Sequence, residues 1–118
     1  SLPGIDFRGS QRTLLLVLSS RCAYCEKSMP FYSRMMAKKG GNSKVVVVGG
    51  EDQRVLTNYL KIHELMVDGV ATVTAQTTPS QVTPTAILVD SEGVVSRVWR
   101  GQLLPQDEEQ VIKLLAQQ

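Results

Sequence analysis

Apolar positions along this chain alternate between unbroken short runs and helically spaced stripes, and polar clusters separate them. Thr13 to Leu18 is an apolar run that predicts a strand. From near Cys22 to Met36 the pattern turns helical, with Met29, Tyr32, Met35 and Met36 on the inner face. Lys38-Lys39 then sets cations over the last carbonyls, and Gly40-Gly41 predicts a left-handed glycine stop. Val45 to Val48 is continuously β-branched, as in a strand buried on both faces of a sheet. Gly49-Gly50 turns the chain, and Glu51-Asp52 places acid at the start of a second helix. Along it Val55, Leu56, Tyr59, Leu60, His63 and Met66 keep helical spacing as far as Asp68-Gly69. The Thr- and Gln-rich stretch from Val70 to Val82 predicts at most a short strand at Val70–Thr74. Thr85 to Val89 reads as a strand, Asp90 to Gly93 as a turn, and Val94 to Trp99 as the returning strand of a hairpin that Gly101 ends. Pro105 fits the first turn of a last helix with Asp107, Glu108 and Glu109 at its start and Val111, Leu114 and Leu115 inward. The predicted order, β-α-β-α-(β)-β-β-α, belongs to an α/β fold with a central mixed β-sheet flanked by helices on both faces. Residues 1–11 form a lead-in, and 1–118 read as a single domain without repeats or linkers.

Composition narrows the function classes. With 13 basic and 11 acidic residues, the net charge is +2 and the basic residues are scattered, which does not fit a nucleic-acid partner. No apolar run approaches the ~20 residues of a membrane-spanning helix, so the domain is not expected to insert in a membrane. The opening Ser1-Leu2-Pro3-Gly4 carries no charged and apolar leader pattern and reads as the start of a mature domain.

The only two cysteines stand together in Cys22-Ala23-Tyr24-Cys25, directly after the first apolar strand. Two intervening residues in a helical turn bring both sulfurs to one helix end, close enough to bridge. A strand running into such a pair is a device for switching between dithiol and disulfide. One pair with no third thiol fits a catalytic role in an oxidising or a reducing compartment alike. His63, the single histidine, lies on an apolar stripe and reads as a packing residue; no metal site is expected. Trp99 and the methionines of the first helix likewise read as packing residues.

Together these features resemble a thioredoxin-fold protein over essentially the whole chain. Three motifs carry the resemblance: the Cys22–Cys25 pair at a strand-to-helix junction, Pro30 five residues beyond Cys25, and Val82-Thr83-Pro84-Thr85 before an apolar strand. The run from Thr83 to Val95 is similar to the TlpA-like, or redoxin, branch of extracytoplasmic thiol-disulfide oxidoreductases, where Pro-Thr-x-x-x-x-Asp-x-x-Gly recurs. The chain departs from related proteins at Arg21, where many carry Trp, at Leu16, where thioredoxins bury an acid, and at Ser28, where reductive members often place Glu.

The resemblance implies Cys22 as attacking nucleophile and Cys25 as resolving thiol, with the Cys22–Cys25 disulfide as the only redox group and no further cofactor. A helix-end contribution of ~0.3–1 kcal/mol lowers a thiol pKa by less than about one unit, so neighbouring groups must supply any larger shift. Arg21 and Glu26 are the charged candidates for tuning the pair. Pro84 is expected cis, with Thr83 offering backbone to an extended substrate and Tyr24 covering the sulfurs or stacking on the partner. The implied partners are protein thiols or disulfides and an upstream electron donor or acceptor, met by a monomer in a periplasmic or other extracytoplasmic setting, tethered or free. Reduction is the expected direction. The competing reading is a thioredoxin-like binding module for peptides or metal without turnover, favoured by Leu16, Arg21 and Ser28.

Overall fold

Strand β1, Arg12–Val17, occupies the centre of a five-stranded sheet in the order β3-β2-β1-β4-β5. The computed structural model describes residues 5–73 and 82–116. On one side β1 pairs in parallel with β2, Ser43–Gly49, which pairs in parallel with β3, Gly69–Thr72. On the other it runs antiparallel to β4, Thr85–Asp90, the first arm of a hairpin completed by β5, Val95–Arg100. The mixed sheet and the late hairpin are as the apolar pattern predicts. The short third strand lies at Gly69–Thr72; the predicted Thr74 falls outside the described residues.

Side chains alternate across the sheet, as the period of a strand requires. Leu14, Leu16, Val45, Val47, Ala86 and Leu88 point into the larger core, where helical side chains cover them. Leu15, Val17, Val46, Val48, Ile87 and Val89 line the opposite face, closed by Phe7 and Val73. The lead-in therefore does more than approach the first strand: Phe7 is one of the core residues.

Four helices flank the sheet among the described residues: α1 (Ala23–Lys27), α2 (Met29–Lys38), α3 (Gln53–Ile62) and α4 (Pro105–Ala116). The continuous helix expected through Met36 is broken at Ser28, which ends α1 and begins α2. Pro30 explains the break, because it has no N–H to offer the carbonyl of Glu26. Ser28 covers the gap. Its N–H donates to Tyr24 and Cys25 carbonyls at 3.1 Å, and its hydroxyl donates to the Tyr24 carbonyl at 2.7 Å.

Three expectations require correction. No left-handed glycine ends α2; the chain leaves through Lys39 in extended conformation, and Gly40 N–H donates to the Leu115 carbonyl at 2.8 Å. Lys39 Nζ bonds the Ser43 carbonyl at 2.8 Å and approaches the Asp68 carboxylate at 3.4 Å. Helix α3 stops at Ile62, so Met66 lies beyond it and is 85% exposed. Val55 is exposed as well, since only Leu56, Tyr59 and Leu60 of α3 face the core. In the β4–β5 turn Gly93 adopts φ 83°, a left-handed conformation that costs glycine no steric clash.

Gly49 joins the fold to the cysteines. A Cβ there would sit 2.7 Å from the Leu18 carbonyl and 3.2 Å from both Leu56 methyls, and Leu18 leads directly to the cysteine loop. We expect Gly49→Ala to lower stability by about 1–3 kcal/mol in urea unfolding, because backbone must shift. Gly50→Ala, whose nearest atom is the Val73 carbonyl at 4.0 Å, should stay within about 0.5 kcal/mol. Equal losses would contradict this assignment.

Candidate active site

The two cysteines lie at the carboxyl end of β1, where the central strand gives way to α1. Leu18 extends the ladder by donating its N–H to Val48 at 3.0 Å, and the loop then closes with Cys22 N–H on the Ser19 carbonyl at 3.2 Å. Cys22 is the N-cap of α1, and its sulfur accepts the Cys25 N–H at 3.0 Å. The pair is in the dithiol form, with Cys22 part-exposed and Cys25 wholly buried.

Burial works against a thiolate at Cys22, but the donors around it win. The Cys25 thiol, the Thr83 hydroxyl and the backbone N–H groups of Cys25 and Tyr24 together hold the Cys22 pKa below the ordinary thiol value. Cys25 behaves oppositely. Its burial, reinforced by the hydrogen bond to Cys22, pushes the thiol up to about 12. One proton therefore stays on the inner sulfur while the outer one ionises first.

Thr83 and Pro84 stand opposite the pair, with a cis peptide bond between them. The Thr83 hydroxyl acts on both sulfurs, and Pro84, at the foot of β4, is buried, with its carbonyl accepting Gly101 N–H at 2.7 Å. Tyr24 lies at the rim, 56% exposed, with Lys27 Nζ 5.1 Å from its ring centroid. Arg21 is exposed and its N–H donates to Ser19 Oγ at 3.2 Å. Glu26 turns away from the sulfur loop toward α3, with Oε1 3.9 Å from His63 Nε2. His63 is thus not an interior residue: it caps the C-terminus of α3 and stands edge-on to Tyr59, ring centroids 4.8 Å apart.

Two residues near the pair escaped sequence reasoning. Glu51 accepts the Ser20 N–H at 2.8 Å and the Ser20 hydroxyl, pinning the cysteine loop to the turn before α3. The Glu51-Asp52 doublet is the signal available in sequence. One acid suffices to cap the helix, and Asp52 does so by accepting Arg54 N–H at 2.8 Å. Tyr59 is the other. Its spacing marks it as core, yet it also lines a cleft of about 430 Å³ beside the cysteine loop with Ser20, Glu26, Val55, Asn58, Ile62 and His63.

A cysteine pair at the end of a central strand, facing a Thr–cis-Pro at the start of the antiparallel hairpin, decides the architecture. The chain has the thioredoxin fold. Solved structures similar to it include StoA from Bacillus subtilis, at 21% identity and TM-score 0.70 over 90% of this chain and 82% of that one. A thiol:disulfide interchange protein DsbE from Chlorobium tepidum is 27% identical, with TM-score 0.69 over 95% and 84%. A thiol-disulfide isomerase from Corynebacterium glutamicum is 18% identical, with TM-score 0.72 over 100% and 88%. These thioredoxin-fold neighbours match the redoxin branch to which the motifs point. No protein-family model matches the sequence, and no curated protein does.

The unequal sulfurs give two expected outcomes. Alkylation of the dithiol form at neutral pH should modify Cys22 alone, with a pH midpoint below that of a free thiol. Thr83→Val should move that midpoint upward by removing a donor. Stability should also fall as pH rises from about 8.5 toward 12. The unfolded Cys25 thiol ionises near about 8.5, whereas the folded one holds its proton to about 12, so the folded form loses its advantage over that window. Chemical unfolding across this range checks it, and Cys25→Ser should flatten the decline.

Proposed function

We propose that this protein is a thiol-disulfide oxidoreductase that exchanges electrons with protein thiols through Cys22 and Cys25, working as a reductase. The observation that carries the reading is the division between an accessible sulfur favoured as thiolate and a buried one that keeps its proton. The Cys22 thiolate attacks a substrate disulfide, one substrate sulfur leaves as thiolate, and a mixed disulfide forms. Cys25, once deprotonated, attacks Cys22 Sγ. The second substrate thiolate departs and the Cys22–Cys25 disulfide remains, so two electrons have passed to the substrate. An upstream dithiol donor restores the starting state. No cofactor beyond the cysteines enters these steps.

An extended substrate segment would lie beside Thr83 and Pro84, with Tyr24 at its edge; the position of the Thr83 hydroxyl at both sulfurs supports this. Arg21 is exposed beside the pair as a charge an incoming partner meets, whereas Glu26 points toward α3. The TlpA-like sequence pattern supports an extracytoplasmic setting. No helix among the described residues is long and apolar enough to cross a membrane.

Equilibration in glutathione redox buffers, with Cys22→Ala as the blank, should give a reversible couple near the thioredoxin value of about −270 mV. A value near about −120 mV would make the protein an oxidant. Cys25→Ser should trap mixed disulfides on Cys22. A protein with no reversible couple and no trapped partner would instead be a binding module.

A further inference from the structure

Ser19, Ser20 and Arg21 carry the chain from the end of the central strand to Cys22. Within this loop the Cys22 N–H donates to the Ser19 carbonyl and the Arg21 N–H to Ser19 Oγ, both at 3.2 Å. Among the described residues, only two hydrogen bonds from these three residues reach beyond the loop and α1, and both end on the Glu51 carboxylate. Oε1 accepts the Ser20 N–H at 2.8 Å, and Oε2 accepts the Ser20 hydroxyl. Glu51 is itself held from behind, because its carbonyl accepts the Thr72 hydroxyl at 2.8 Å at the end of β3. Beside it, the Gly49 carbonyl accepts the Val73 N–H at 2.8 Å. The carboxylate is not needed elsewhere. Asp52 caps α3, and among the described residues no lysine, arginine or histidine forms an ion pair with Glu51.

We infer that Glu51 is a positioning residue for Cys22: through Ser20 it ties the cysteine loop to the end of β3 and holds the outer sulfur in the orientation from which it attacks. This rests on the oxidoreductase reading above and adds to it a residue that acts through another. Two carboxylate oxygens on the N–H and hydroxyl of one residue fix its rotation as well as its place, which a single bond does not. Cys22 follows two residues after Ser20 as the N-cap of α1, with its sulfur on the Cys25 N–H at 3.0 Å. A loop released from Glu51 keeps its internal turn but loses its hydrogen-bonded link to β3. Small errors in the placement of an attacking atom slow a reaction by large factors. The sign of the effect separates positioning from charge. A carboxylate acting on a nearby thiol by charge alone disfavours the thiolate, so its removal would speed reaction at Cys22. Loss of positioning slows it.

Iodoacetamide is uncharged, so its rate with the reduced protein at neutral pH reads Cys22 without bias from the charge of the reagent. Glu51→Ala should slow alkylation of Cys22 by about threefold to tenfold. Glu51→Gln keeps an acceptor for the Ser20 N–H and a donor for its hydroxyl, and should restore the rate to within about twofold. Glu51→Asp keeps the charge but withdraws it by one methylene, and should be slowed like the alanine variant. Ser20→Ala removes one of the two bonds and should fall between, and adding it to Glu51→Ala should slow the reaction no further. A rate in Glu51→Ala equal to or above that of the unaltered protein overturns the assignment, as does equal slowing by Gln and Ala. Should Glu51→Ala fail to fold, an unchanged rate in Glu51→Asp overturns it. Dithiobis(nitrobenzoate) tests the underlying reading separately: one thionitrobenzoate is released when Cys22 attacks and a second when Cys25 resolves. An unaltered protein that gives no second release removes the oxidoreductase reading, while the iodoacetamide series still decides whether Glu51 sets Cys22.

Discussion

Strand β1 is paired along both edges and covered on both faces, so the backbone leaving Val17 has little freedom to move. Leu14 and Leu16 sit in one core, Leu15 and Val17 in the other, and a slip of one residue would exchange them. That constraint fixes where Leu18 emerges and where the cysteine loop starts. The close approach of Gly49 to the Leu18 carbonyl locks the exit from the side of β2, and Glu51 holds Ser20 from the following turn. The two sulfurs therefore sit on a short loop suspended between rigid supports.

The chemistry then follows from depth. Cys22 and Cys25 are one helical turn apart, yet the first reaches solvent while the second is enclosed by core side chains. Hydrogen bonds converge on the outer sulfur, whereas desolvation dominates at the inner one, so nearly identical groups acquire opposite tendencies. No ion pair at the sulfurs is needed to create the difference.

Much of this was legible in the sequence because it depends on local pattern. Continuous apolar runs marked β1 and β2, the Asp90–Gly93 turn marked the hairpin, and the spacing of Cys22 and Cys25 marked the place of the candidate site. What was not legible depends on contacts distant in sequence. Lys39 has the cationic side chain of a helix end, but it bonds Ser43 and Asp68, and the Gly40 N–H bonds the distant Leu115 carbonyl where Gly40-Gly41 suggests a local glycine stop. Met66 continues the periodicity of α3 although the helix has ended, because spacing cannot register where hydrogen bonding stops. Glu51 and Tyr59 are unremarkable by type and position; only the fold brings them to the cysteine loop from more than thirty residues away.

The β4–β5 hairpin has its own bearing on how such a protein meets other chains. Strand β5 is an open edge of the sheet, with Val95 and Val98 exposed, and an unprotected edge of this kind templates the addition of foreign strands. Here a register irregularity between Leu88 and Val89 disturbs the ladder next to it, and Arg97 and Arg100 place charge along it. Both features discourage stacking of one polypeptide edge on another. The outer edge of the hairpin is thereby closed to the addition of a further strand, and Arg100, paired with Thr85, carries that guard down to the end of the hairpin nearest the sulfurs.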